Sequence, residues 1–259
     1  MHLIAFAQDA RRTSVSLLEV SAASFAIKES DLTFGQQIGS GSYGDVFDGR
    51  LFGTAIAIKR MHVGEIRAST LRAFHKECGL MRKLRHPNLV LFMGSCVKMP
   101  CTLLLVTELM TRGNLFEIYH QEPRLGTARA HYQRVADVSI DMCKGMCALH
   151  HSDPPLLHRD LKSPNIFVDQ HWVAKIGDFG LAKMKSEGKT MTAGVGSPLW
   201  IAPEVLKGER FGEGCDIYSF AIILWEMAAW CEPYEGLNSV EVCNAQHSPR
   251  RTHACALLC

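Results

Sequence analysis

The stretch from His158 to Gly180 constrains this chain more than any other. It reads His158-Arg159-Asp160-Leu161-Lys162-Ser163-Pro164-Asn165, then an apolar run, then Asp178-Phe179-Gly180. A carboxylate, a lysine and an amide fall within six residues. Ile166-Phe167-Val168 and Trp172-Val173-Ala174-Lys175-Ile176 flank the polar turn Asp169-Gln170-His171, the pattern of a β-hairpin. A hairpin of that length brings Asp178 back beside Asn165. Asp160 is then left to meet a hydroxyl, while Asn165 and Asp178 offer oxygen to a hard cation.

Such a set suits phosphoryl transfer. The segment resembles the catalytic and metal-binding loops of the eukaryotic protein kinases, H-R-D-L-x-x-x-N and D-F-G, with every specified position filled. The resemblance implies an α+β, bilobal fold: a small antiparallel β lobe with one helix, and a large, mainly helical lobe. It also implies roles. Asp160 accepts or orients the proton of the attacking hydroxyl, Lys162 neutralises charge near the γ-phosphate, and Asn165 and Asp178 hold Mg²⁺ against ATP. These roles are positional and electrostatic. His158 and Phe179 are expected to pack, with Met81 and Phe92, in an apolar column.

Upstream parts stand in the matching order. Leu32–Ile38 reads as a strand and runs into Gly39-Ser40-Gly41-Ser42-Tyr43-Gly44. G-x-G-x-x-G alone also fits a dinucleotide-binding fold, where a helix should follow. Here Asp45-Val46-Phe47-Asp48-Gly49-Arg50, the turn around Gly53 and Thr54-Ala55-Ile56-Ala57-Ile58-Lys59 read as strand, turn, strand. In the kinase resemblance Ile38 to Gly44 form the phosphate lid, Val46 and Ala57 offer apolar surface to adenine, and Lys59 meets the α- and β-phosphates. Leu71, Phe74, Cys78, Met81 and Leu84 make a helical stripe that includes Glu77. An inward carboxylate needs a partner, and the resemblance makes it Lys59. The basic residues Lys76, Arg82, Lys83 and Arg85 read as a solvated face.

After His86-Pro87-Asn88, Leu89–Val97 and Thr102–Thr107 read as two more strands, for a sheet of five. Thr107-Glu108-Leu109-Met110 resembles the hinge, with Thr107 as gatekeeper and backbone groups of Glu108 and Met110 facing adenine. Asn114–His120 reads as a short helix and His131–His150 as a long one, striped by Val135, Val138, Met142, Met146 and Leu149. Cys143 and Cys147 stand at i and i+4; core packing is expected of them rather than metal binding.

Lys162-Ser163 and Gly196-Ser197-Pro198-Leu199-Trp200-Ile201-Ala202-Pro203-Glu204 resemble the tyrosine-kinase-like group, Raf-like and mixed-lineage-like, whose members mostly phosphorylate Ser and Thr. Thr190 and Thr192 in the segment 178–204 are candidate phosphorylation sites that Arg159 could pair with. Ser197 reads as structural. Asp216-Ile217-Tyr218-Ser219-Phe220 resembles the start of the central helix of the large lobe, with Asp216 expected to cap the backbone near His158 and Arg159.

The expected division is a disordered leader over 1–30, a small lobe over 31–110, a large lobe over 111–241 lacking its last helices, and an unrelated tail over 242–259. Cys243, His247, His253 and Cys255 in that tail fit no familiar zinc spacing, and a lipidation signal fails at Ala256. A net charge of +2 points to no nucleic acid as the main partner. The apolar run Ile217–Trp230 falls short of a membrane span and contains Ser219 and Glu226, so it reads as a buried helix. Ten cysteines without C-x-x-C pairs suggest reduced thiols and a cytoplasmic location. The partners implied are ATP and a Ser/Thr-bearing protein substrate, and a kinase-domain dimer is left open. A non-catalytic ATP-binding decoy is the alternative function, on the missing helices.

Overall fold

The computed structural model describes residues 25–41, 44–64, 66–120, 127–153, 155–178, 198–238 and 240–242. They form two compact units. The first takes residues up to Arg85 together with Leu91–Leu109, and the second takes His86–Val90 and the chain from Met110 onward.

The first unit is a five-stranded antiparallel sheet in the order β1-β2-β3-β5-β4. Its strands are β1 (Leu32–Gly41), β2 (Gly44–Leu51), β3 (Thr54–Met61), β4 (Phe92–Lys98) and β5 (Thr102–Glu108). The two-residue turn Phe52–Gly53 joins β2 to β3, both residues at positive φ, which matches the strand twist. Alternation along the strands sends Leu32, Leu51, Ile56, Ile58, Leu104 and Val106 into one core. Helix α1 (Ala68–Lys83) buries Phe74, Glu77, Cys78 and Met81, the face its stripe predicts, and packs beside β4. Of the expected leader, residues 1–24 lie outside the described residues. Its end does not match a disordered stretch: Ser95 N–H donates to Phe25 O (3.0 Å) and Ile27 N–H to Ser95 O (2.8 Å). Those bonds cover the free edge of β4.

The second unit is built on α3 (Ala128–His150) and α5 (Gly214–Ala229), with α2 (Leu115–His120), the one-turn α4 (Pro203–Leu206) and the hairpin β6 (Ile166–Val168) and β7 (Ala174–Ile176). Thr127 caps α3, its hydroxyl accepting from Ala130 N–H (3.3 Å). The stripe Val135, Val138, Met142, Met146 and Leu149 is buried against α5 and β7. A side chain on Gly145 would meet Asn88 O at 2.6 Å, so glycine lets the chain pass close over α3. Cys143 and Cys147 are exposed, against the expectation of core packing, because they sit beside the buried stripe and not on it.

The expected strand Leu89–Val97 divides. Its first residues join the second unit, where Val90 N–H donates to Ile176 O (2.9 Å) and Ile176 N–H to Asn88 O (3.0 Å). β7 satisfies their backbone, so β4 starts only at Phe92. The boundary between units falls at Leu109/Met110, one residue before the expected one.

Candidate active site

In the first unit the glycine motif is a hairpin, since β2 follows where a dinucleotide fold needs a helix. Gly39 faces Val46, Ser40 faces Asp45 and Gly41 faces Gly44 in register; Ser42 and Tyr43 lie outside the described residues. The glycines have different reasons. A Cβ on Gly44 would lie 2.2 Å from Arg60 O, so β3 demands it, whereas one on Gly41 would meet nothing. Asp45 ties the hairpin together: its Oδ1 accepts from Ser40 Oγ (2.7 Å) and its Oδ2 lies 3.0 Å from His62 Nε2. Those bonds hold its carboxyl below the ordinary range, His62 first. Ile38 is exposed. Register places Val46 beside Lys59 and Ala57 beside Thr107, so four expected binding residues share adjacent strands. Glu77 is 3% exposed and turned into the unit.

The hinge backbone is partly spent. Glu108 N–H donates to Leu91 O (3.0 Å), and its carbonyl accepts from Thr107 Oγ1 (3.3 Å). In the second unit Met110 O accepts from Gly113 N–H (3.1 Å), which leaves its N–H.

In the second unit Asp216, 1% exposed near the start of α5, pins the catalytic loop. Its Oδ2 accepts from His158 N–H (2.8 Å) and its Oδ1 from Arg159 N–H (2.9 Å), as the sequence leads one to expect. His150, at the end of α3, donates to the same carboxylate from Nε2 (2.8 Å). Arg159 is thereby held at φ 64° and Asp178 lies at φ 53°, both in the left-handed region that costs a non-glycine residue energy. Such strain persists only where surrounding bonds over-determine it.

His158 is fully buried. Its Nε2 donates to Gly177 O (3.0 Å) and its Nδ1 accepts from Asp160 N–H (3.3 Å), which fixes a neutral tautomer. Burial lowers its pKa, outweighing Gly177 and the nearby Asp216. With both nitrogens occupied, His158 is scaffolding rather than a base.

Asp160 is met by Asn165 and Lys162. Asn165 Nδ2 donates to its carbonyl (2.7 Å) and its Oδ2 (3.3 Å), and Lys162 Nζ lies 3.3 Å from Oδ2. The hairpin closes as predicted, Ile166 facing Ile176, and Gly177 N–H donates to Asn165 O (2.9 Å). Asp178 therefore follows one residue after a bond to Asn165. Since the Asn165 amide nitrogen is turned to Asp160, its Oδ1 is the atom left for a cation. With the Asp178 carboxylate, this makes an all-oxygen donor set that fits Mg²⁺ and not a soft metal. Beside these charges opens a concavity lined by Arg159, Asp160, Lys162, Trp200, Ile201 and Val205.

Glu226 on α5 went unassigned in the sequence reading. It is 1% exposed, and its carboxylate accepts from Ser163 Oγ (2.7 Å), Trp200 Nε1 (2.9 Å) and His120 Nε2 (2.8 Å). Burial pushes its carboxyl upward while the three hydrogen bonds oppose the rise. Ser219 Oγ donates to Trp200 O (2.7 Å), so α5 grips both the catalytic loop and the segment around Trp200. The signal available was a carboxylate in an otherwise apolar helix. Phe179, Gly180, Thr190, Thr192, Ser197 and the stretch 243–259 lie outside the described residues.

The family described as protein tyrosine and serine/threonine kinase matches residues 32–257. The chain belongs to this family. The match takes in most of the stretch set apart as a tail. Among curated relatives, the probable serine/threonine-protein kinase drkA of Dictyostelium discoideum is 42% identical over 211 residues, 82% of this chain and 32% of its own length. The probable serine/threonine-protein kinase drkB of the same organism is 42% identical over 216 residues, 83% of this chain and 30% of its own. The dual specificity protein kinase shkC, also from Dictyostelium discoideum, is 38% identical over 218 residues, 83% of this chain and 42% of its own. The chain thus spans less than half the length of these relatives. Among its described residues no helix is long and apolar enough to cross a membrane.

Proposed function

We propose that this chain transfers the γ-phosphate of ATP to Ser and Thr hydroxyls of proteins. The observation that carries the reading is the loop in which Asp160 is hydrogen-bonded by Asn165 and ion-paired with Lys162, the loop being pinned by Asp216. The relatives named as serine/threonine kinases support the choice of hydroxyl.

In the proposed reaction the substrate oxygen forms a bond to Pγ, the bond from Pγ to the β–γ bridging oxygen breaks, and ADP leaves. Asp160 takes the hydroxyl proton. Lys162 offsets charge on the transferring group. Asn165 Oδ1 and Asp178 would hold Mg²⁺, which when bound supplies charge neutralisation on the phosphates. Lys59, oriented by Glu77, meets the α- and β-phosphates, and backbone amides of Gly39–Gly44 cover them. Ile38, Val46 and Ala57 contact adenine, Thr107 limits the depth of its pocket, and the Glu108 carbonyl and Met110 N–H read its edge. A role in signal transduction, a cytoplasmic location and self-association of the domain are further parts of the proposal. The absence of C-x-x-C pairs from the sequence supports the location.

Phosphate transfer to a generic Ser/Thr protein substrate, measured beside an Asp178→Ala control, tests the reading. Wild-type transfer with a silent control is expected; equal transfer by both would remove it.

A further inference from the structure

A cluster on the second unit takes no part in that reaction. Trp172 sits at the tip of the β6–β7 hairpin, held at φ 66° by the turn in which Asp169 Oδ1 accepts from His171 and Val173 N–H. Two guanidiniums reach its ring from separate elements. The Arg112 carbon lies 4.6 Å from the ring centroid, and the Arg134 carbon, from α3, 4.4 Å. Arg112 is set there by its own backbone, whose N–H donates to Val168 O (3.1 Å).

Each stack is favourable alone. Together they crowd two like charges onto one indole, and neither arginine has a carboxylate partner among the described residues. Acids close by among the described residues are engaged elsewhere: Asp169, beside Trp172, by its turn, Asp137 by Gln133 Nε2 (3.0 Å), and Glu117 by Asn114 N–H (3.5 Å). What the cluster lacks is an anion. A planar guanidinium offers parallel N–H donors that match two oxygens of a phosphate, and a phosphate monoester brings close to two charges in one group, where Asp or Glu brings one.

We propose that Arg112, Arg134 and Trp172 form a docking site for a phosphorylated segment of a partner protein. Strand register sets its place. Ile166 and Ile176 pair at the end of the hairpin next to Asn165, while Val168 and Ala174 pair toward the tip, so the site lies at the far end from the phosphoryl-transfer residues. A protein held here by its phosphate keeps its other hydroxyls near the domain at raised effective concentration. Two arginines on one ring suit a single phosphate group rather than the continuous backbone of a nucleic acid.

Binding can be read without any catalysis, so its failure is separate from failure of the kinase reading. The probe is a fluorescein-labelled peptide with one phosphoserine, followed by anisotropy, beside its unphosphorylated twin, with inorganic phosphate and a single-stranded oligonucleotide as competitors. Wild type is expected to prefer the phosphopeptide by about tenfold or more, and Arg112→Gln/Arg134→Gln to lose that preference. Trp172→Phe, which keeps an aromatic face, should retain it. Free phosphate should compete only weakly, since it lacks the flanking peptide. Melting curves check that the variants fold. Arg112→Glu, on an exposed loop, should give the same loss with α3 untouched. Equal binding of the two peptides, unchanged affinity in both arginine variants, or stronger binding of the oligonucleotide would overturn the proposal.

Discussion

Asp160 is placed by close neighbours in its own loop. Its carboxylate meets Lys162 and Asn165, and its N–H is taken by His158. Asp160→Asn keeps the shape and removes the proton acceptor. Its kcat should fall by about 10²–10⁴-fold with little change in melting temperature, measured by steady-state kinetics and calorimetry. His158 yields a prediction with a defined sign. Its folded pKa lies below that of the unfolded chain, near 6.5, because burial disfavours the charged ring. Below that pH the unfolded chain takes up a proton that the native ring refuses, so stability is full above about pH 6.5 and falls as pH drops toward the folded pKa. The raised Glu226 carboxyl acts in the opposite direction. The His158 contribution is therefore read by difference: urea midpoints should drop from pH 7.5 to 5.5, and His158→Gln should show a smaller drop from a lower start.

Helix α5 is the element on which the site depends. Three polar side chains on an otherwise apolar helix each hold a different segment: Asp216 the loop at His158 and Arg159, Ser219 the carbonyl of Trp200, and Glu226 the side chains of Ser163, Trp200 and His120. Buried groups of this kind stabilise only while every partner is present. Asp216→Ala strands two backbone N–H groups and His150, and should cost about 3 kcal/mol. In a chain of this size that is a fall of roughly 6–12 °C in melting temperature, with activity lost ahead of structure. The packing of α3 gives a second test. Gly145→Ala raises helix propensity, but its methyl would meet Asn88 O at 2.6 Å and Ile176 Cδ1 at 3.0 Å. Overpacking should win, for a net loss of about 1–3 kcal/mol by chemical denaturation.

At the scale of the whole molecule, nucleotide binding should couple to stability. Mg-ATP at a hundredfold its dissociation constant should stabilise the native chain by about 2.7 kcal/mol. A chelator should remove most of that shift in a melting experiment, and Asp178→Ala should remove it whether or not a chelator is present. Lys59→Met should weaken the shift too, since it deletes a charge proposed to meet the phosphates.

The order of motifs along the chain was enough to give the fold class, the stripes of α1 and α3, the glycine hairpin and the loop from His158 to Asp178. The fold class came through the family likeness of those motifs; the stripes and hairpins follow from local periodicity or from short spacings, where a residue's surroundings are its neighbours in sequence. The capping role of Asp216 was also legible, through family likeness. What tertiary structure alone decided involves long separations. Ser163 meets Glu226 across 63 residues and His120 meets it across 106, and no local pattern announces which buried carboxylate will gather them. Residues 88–90 left β4 for β7 because that hairpin offered their backbone partners, and Phe25–Ile27 took the edge of β4 for the same reason. Cys143 and Cys147 shared the helical spacing of a packed pair, yet only the rotation of α3 against α5 and β7 put them on the outside. Periodicity states that a helix has an apolar face; the partner it packs against sets where that face ends.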